Sequence, residues 1–221
     1  MSVGASGRTA RVGPRIVPSS TTLLKRLVAN AAGAVGAGFF ARAGLQHYHS
    51  THSLIGVVFF VEECWVVVAY LVRRRARVVT VRNSDWLVAF GGTFGGVLLR
   101  PTGVHPHWAV VAGLGVQLMG LALCATAFVA LGRSFGFAAA DRGLKRRGPY
   151  AIVRHPLYAS YFLLLGGYVL QSMSWRNFIV MVFVCGCNIG RALGEERVLS
   201  TSAAYSEYRR RVRWRLVAGV W

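Results

Sequence analysis

Between Gly148 and Tyr161 the chain sets Tyr150, Arg154, His155, Pro156 and Tyr158 at the junction of a basic segment and an apolar run. Proline is tolerated in the first turn of a helix, where its missing N–H has no partner to lose. The spacing therefore predicts a helix beginning near Pro156, with Arg154 and His155 at its entrance. Tyr158 falls in the first turn, at the height where aromatic rings favour a membrane interface. A cation, an imidazole and a phenol at the positively polarised start of a helix suit an anionic ligand or a nucleotide. A basic anchor flanking a membrane helix would use the same residues.

A second group lies further along. Asn188, Arg191 and Glu195 stand at i, i+3 and i+7 and share one helix face. Glu196 is turned about 100° away, towards Ala192 and Leu199. A short hairpin between the two groups would return the second beside Arg154 and His155. Two carboxylates near an arginine and a histidine at a membrane surface suit a ligand of mixed charge. S-adenosylmethionine is such a ligand. Its sulfonium and ammonium favour acidic or aromatic neighbours, its carboxylate an arginine, and its adenine an aromatic or histidine wall. An i,i+4 ion pair between Arg191 and Glu195, with Glu196 solvated, is the plainer use of the same acids.

The elements that must position these groups are membrane segments. The 221 residues are 54% apolar and only 15% charged, too apolar for an ordinary soluble domain and pointing to an all-α polytopic membrane bundle. Apolar runs cover about 27–45, 53–72, 85–99, 108–131, 157–171 and 175–189, giving five to six segments. The last two are shorter than the roughly 20 residues a crossing needs, and a Ser172-Met173-Ser174 turn joins them as a hairpin. Asp85 beside Trp86 reads as the cap of the third run.

Residues 1–22 read as a flexible basic tail, 23–131 as N-terminal spans, and 132–221 as the catalytic region with a basic C-terminal tail. The net charge of +19 would suggest nucleic acid in a soluble chain. Alternating the runs instead puts 23 basic residues on one side and three, Arg42, Arg100 and Arg176, on the other. By the positive-inside rule both termini and both chemical groups are then cytosolic. Arginine outnumbers lysine 24 to 2, which with the abundant alanine, glycine and valine hints at a GC-rich bacterial genome and hence a plasma membrane.

Four cysteines, Cys64, Cys124, Cys185 and Cys187, sit in apolar runs as buried filler with no zinc spacing. His47, His49 and His52 fall in a polar link after the first run, where nothing fixes a metal-binding geometry. Glu62 and Glu63 lie near the middle of the second run. An intramembrane acid is a functional candidate, and a hydrogen bond to a neighbouring helix is the alternative.

The motifs in series resemble the isoprenylcysteine carboxyl methyltransferase family, to which phospholipid N-methyltransferases are related. They are Gly148-x-Tyr150-x-x-x-Arg154-His155-Pro156-x-Tyr158, then Glu195-Glu196-x-x-Leu199, then Tyr205-x-x-Tyr208-x-x-Arg211-Val212. The likeness covers about 130–221, including Leu131 to Phe135 and Arg213-Trp214-Arg215. Ser160 stands where many relatives have glycine, and Ala218 where proline is common.

The resemblance implies S-adenosylmethionine, leaving as S-adenosylhomocysteine, in a cytosolic pocket roofed by the C-terminal segment. It also implies a lipophilic, isoprenoid- or lipid-like acceptor entering sideways from the bilayer. On that basis His155, Pro156 and Tyr158 shape the cofactor wall, with Tyr150, Asn188 and Tyr205 as further cofactor contacts. Arg154 holds a carboxylate of cofactor or substrate, and Glu195 with Glu196 positions the cationic end. Arg154, Glu195 and Glu196 are the catalytic candidates. A carboxylate acceptor is already ionised at neutral pH and needs no general base; an amine or phenol acceptor would need one.

Two rival readings stay open at this stage. One is a membrane reductase taking hydride from NADPH for a sterol- or isoprenoid-like substrate. The other is a non-enzymatic basic scaffold for anionic lipids.

Overall fold

The computed structural model describes residues 16–18, 23–52, 54–103 and 105–221. The elements in chain order are β1 (Ile16–Pro18), α1 (Leu23–Thr51), α2 (Leu54–Val72), β2 (Val78–Thr80), α3 (Asn83–Phe94), α4 (His107–Leu131), β3 (Ala140–Asp141), α5 (Pro156–Gln171), α6 (Trp175–Leu199) and α7 (Ala203–Arg211). A 3-10 turn, Gly95–Leu98, extends α3, and others lie at Gly132–Ser134 and Gly148–Ala151. The bundle is mostly helical. Among the described residues two stretches are long and apolar enough to cross a membrane, His107–Ser134 and Trp175–Leu199. Large apolar side chains such as Leu87, Val129 and Trp175 are more than 70% exposed, which suits a lipid surroundings better than water.

Small residues and buried amides hold the helices together. At the α4–α5 crossing a Cβ on Gly113 would lie 2.5 Å from the Gly167 carbonyl oxygen, and one on Gly167 equally close to that of Gly113. Beside this contact Gln171 donates to the Gln117 amide oxygen at 2.7 Å. Close backbone approach plus a buried amide clasp is how membrane helices associate where apolar burial drives little. Gly44 and Gly56 make a similar contact between α1 and α2. Gly113→Val is therefore expected to lower the thermal unfolding midpoint in detergent, costing about 1–3 kcal/mol as overpacking. Gly115→Val on the same helix faces open space and should leave the midpoint unchanged; equal midpoints for the two variants would refute the close-packing account.

A small antiparallel sheet fixes which loops share an end. β2 pairs with β1 (Val79 opposite Val17) and with β3 (Val79 opposite Ala140). The segments before α1, after α2 and after α4 therefore meet at one end, where Arg74 N–H also donates to the Arg133 carbonyl at 2.5 Å. This is the basic end of the charge map. At the opposite end Asn177 of α6 donates to the carbonyls of Ser172 and Arg100, closing the α5–α6 turn.

Three details differ from the sequence expectations. α1 continues through His47 and His49 to Thr51, so the polar link shrinks to the residues about His52, which takes a φ of 50°. Among the described residues no cluster of three metal-ligating side chains forms. Asp85 is not the cap of α3, which begins after Arg82. Its buried carboxylate accepts from the Thr80 hydroxyl at 2.6 Å and pairs with Arg197 of α6. Lastly, α6 does not stop at Ile189 but runs 25 residues to Leu199. The polar residues past Ile189 stay helical because neighbouring segments supply their partners, so the helix outlasts its apolar stretch and reaches crossing length. Of the tail 1–22, Ile16–Pro18 form β1 in the sheet, and 1–15 and 19–22 lie outside the described residues.

Candidate functional site

Pro156 is the first residue of α5, and His155 precedes it at the cap position with φ −130° and ψ 59°. That extended-side conformation is imposed by the proline that follows. It turns the imidazole out of the helix towards the end of α6. There His155 Nε2 lies 3.2 Å from Glu196 Oε1, and Nδ1 lies 3.8 Å from Glu195 Oε2. Both acids and the histidine thus sit at the basic end, joined through one ring.

The 100° offset between the two glutamates gives them different jobs. Glu196 faces a closed wall. Its carboxylate meets Arg154 Nη1 at 2.7 Å and Arg215 Nε at 3.2 Å, and its side chain is only 7% exposed. Arg154 in turn donates from Nη2 to the Arg213 carbonyl at 3.0 Å. The Arg154 and His155 backbone N–H groups donate to the Trp214 and Arg215 carbonyls, next to the bridge between Val153 and Trp214. Glu196 therefore bridges two cations and ties the C-terminal strap to the entrance of α5. Arg154, expected to hold a carboxylate of a ligand, finds that carboxylate within the chain.

Glu195 faces a cavity instead. It accepts a 2.6 Å hydrogen bond from the Tyr158 hydroxyl, and the Arg191 guanidinium stacks 5.1 Å over the Tyr158 ring. Arg191 does not pair with Glu195 but donates to Asn188 Oδ1 and to the Phe137 carbonyl. The cavity is lined by Tyr150, Arg154, His155, Tyr158, Glu195 and Tyr205 among others. Six of the nine anticipated site residues thus share it. Pro156 lies fully buried behind it, Glu196 stands in the closed wall, and Asn188 lines a second cavity between the membrane helices. Ser160 is fully buried and donates to the Leu157 carbonyl at 2.7 Å, so the departure from glycine is absorbed inside α5.

Arg142 was not among the anticipated residues. It lines the same cavity, its Nε is buried with no acceptor, and its guanidinium lies against Gly136, where a Cβ would collide with it. Burial, aided by the nearby Arg73, pulls it down to about 10, so the site gains from an anion there. Burial raises Tyr205 to about 12 and Tyr150 well above the ordinary phenol value, so both stay neutral. Tyr208 donates to the Tyr150 carbonyl at 2.7 Å and seats α7 over the opening. Only its place after the Asp141 turn marks Arg142 in sequence, and charge alone does not separate it from the surrounding arginines.

One wall therefore carries an acid held by a phenol, an arginine with no ion pair among the described residues, and two neutral aromatic rings. Residues 108–206 match the phospholipid methyltransferase family. The matched stretch runs from α4 into α7 and includes every anticipated site residue. The resemblance read from the motifs is thus met by a match to a related methyltransferase family. No curated protein matches the chain.

The donor set suits S-adenosylmethionine: Glu195 for a cationic end, Arg142 for a carboxylate, and Tyr150 with Tyr205 for an aromatic face. The space does not suit it as the chain stands. The cavity holds about 90 Å³, below the roughly 300–1,000 Å³ of small-molecule sites. Its roof is α7, which brings Tyr205 and Tyr208 over the opening.

Proposed function

We propose that the chain is an integral membrane methyltransferase that uses S-adenosylmethionine and acts on a lipophilic acceptor at the cytosolic face. The observation that carries this reading is Glu195, fixed by Tyr158 and facing the same cavity as the unpaired Arg142. Both termini are cytosolic in this reading, and α1, α2, α3 with its extension, α4, α5 and α6 form the membrane part, in a bacterial plasma membrane.

Glu195 holds the cationic end of the cofactor, and the Tyr158 hydroxyl fixes the carboxylate's direction. Arg142 holds the cofactor carboxylate, and Tyr150 with Tyr205 provides the wall for the base. When bound, the cofactor supplies an electrophilic methyl group on a sulfonium. Transfer then depends on alignment and exclusion of water more than on proton movement. The apolar rings around Tyr158 and the roof of α7 supply both. A carboxylate acceptor needs no base. With an amine acceptor, Glu195 is the nearest group to take the proton. Loading requires α7 to lift, which the hydrogen bond from the Tyr208 hydroxyl to the Tyr150 carbonyl resists.

The test is calorimetric titration of the purified chain with S-adenosylhomocysteine and, separately, with NADPH. Binding of the first and not the second is expected. Lipid extracts incubated with the chain and an isotope-labelled methyl donor should then yield a labelled lipid by mass spectrometry. A folded chain that ignores S-adenosylhomocysteine would sink the proposal.

A further inference from the structure

The second cavity holds about 440 Å³, within the range of small-molecule sites. It runs among the membrane helices from His47 and Arg100 at the far end to Asn188 and Arg191 at the basic end. Its lining is mostly apolar but carries two polar levels. At the basic end Asn188 is 0% exposed and its Nδ2 has no acceptor, while Arg191 is 8% exposed and its Nε has none. Deeper, Glu62 and Glu63 line the cavity, and neither carboxylate has a hydrogen bond or ion pair with another described residue.

Glu62 and Glu63 come eight and seven residues before Tyr70, which lines the basic end of the cavity. At the rise of an α-helix that is about 10–12 Å along the axis. Unpartnered donors at one level and unpartnered acids at the next are each costly away from water. One ligand with an acceptor at its head and a donor along its chain satisfies both. Arg191 and Phe135 line this cavity and the smaller one alike, so the head lies at the wall the two share.

We propose that the cavity seats the methyl acceptor and selects a lipid acid bearing a hydroxyl on its chain. The carboxylate is held by Asn188 and Arg191, and the hydroxyl donates to one of the neighbouring acids Glu62 and Glu63. This deepens the methyltransferase reading and rests on it for the word acceptor. The binding site itself is tested without catalysis. A plain isoprenoid or alkyl acid leaves the two glutamates unsatisfied and binds more weakly.

The experiment titrates the purified full-length chain in lipid nanodiscs with hexadecanoic acid and with its mid-chain hydroxy counterpart, by displacement of a fluorescent fatty acid. The hydroxy acid is expected to bind about tenfold tighter, the scale of satisfying a polar group otherwise left unpaired away from water. The preference should vanish in the Glu62→Leu/Glu63→Leu double variant, and Asn188→Leu should weaken both acids alike. Equal affinity of the two acids for the wild type overturns the proposal, as does a preference that survives in the double variant. If the double variant does not fold, the wild-type comparison decides alone. S-adenosylhomocysteine titrated in parallel reads the donor site separately. Its failure with the lipid preference intact would strike the enzyme reading and leave this site standing.

Discussion

Glu196→Ala is expected to lower stability by about 3–5 kcal/mol, the cost of leaving buried charges without their partner. Arg154, His155 and Arg215 all converge on that carboxylate, and the Arg154 and Glu196 side chains are 6% and 7% exposed. Its loss would leave the buried Arg154 guanidinium and the 24% exposed Arg215 without the acid between them, and would loosen the strap that crosses Val153. Thermal unfolding of the purified chain reads this as a large drop in midpoint, with earlier proteolysis of residues after 211. Glu207→Ala is the control, because its pairs with Arg146 and Arg211 are exposed and worth no more than about 1 kcal/mol. If both variants melt where the wild type does, Glu196 is not the tie described above.

Glu195→Gln should behave in the opposite way, folding normally and binding poorly. The amide keeps the shape and can still accept from Tyr158, but removes the charge that faces the cavity. A hydrogen bond to a charged group contributes about 1.5–3 kcal/mol, so the affinity for S-adenosylmethionine should fall roughly tenfold to a hundredfold. Tyr158→Phe should give a smaller loss, since it removes only the group that orients the acid. Calorimetry on both variants, paired with their melting curves, separates a binding defect from a folding one. Unchanged affinity in Glu195→Gln would move the cofactor's cationic end elsewhere.

These two predictions diverge although the residues are adjacent, and the helix period already foretold the divergence. An offset of 100° sends consecutive side chains to different walls. What the period does not say is which wall is closed. Glu196 looked as available as Glu195 until the strap bearing Arg215 was seen lying across the start of α5. Arg154 likewise read as a ligand-binding cation, and only the fold shows that Glu196 satisfies it. Asn188 shares the helix face of Arg191 and Glu195 as its spacing demanded. Seven residues is nearly two turns, however, so Asn188 lies about 10 Å away along the axis and opens on the membrane cavity. The end of α6 was misjudged because hydropathy marks where apolar side chains stop, whereas a helix stops where its hydrogen bonds do.

The amino-acid order alone determined the local features: a helix opened by Pro156, the tight Ser172–Ser174 turn, the apolar runs, and the sorting of basic loops to one end. Each follows from interactions within a few residues, or from the affinity of a segment for lipid or water. Tertiary structure decided the assignments that depend on residues far apart in sequence. It paired Glu196 with Arg215 and Asp85 with Arg197, aimed Arg142 at Glu195's cavity, and left Glu62 and Glu63 facing open space. Electrostatic pairing acts through distance in space, and a loop's sequence does not record which distant charge its neighbour will find.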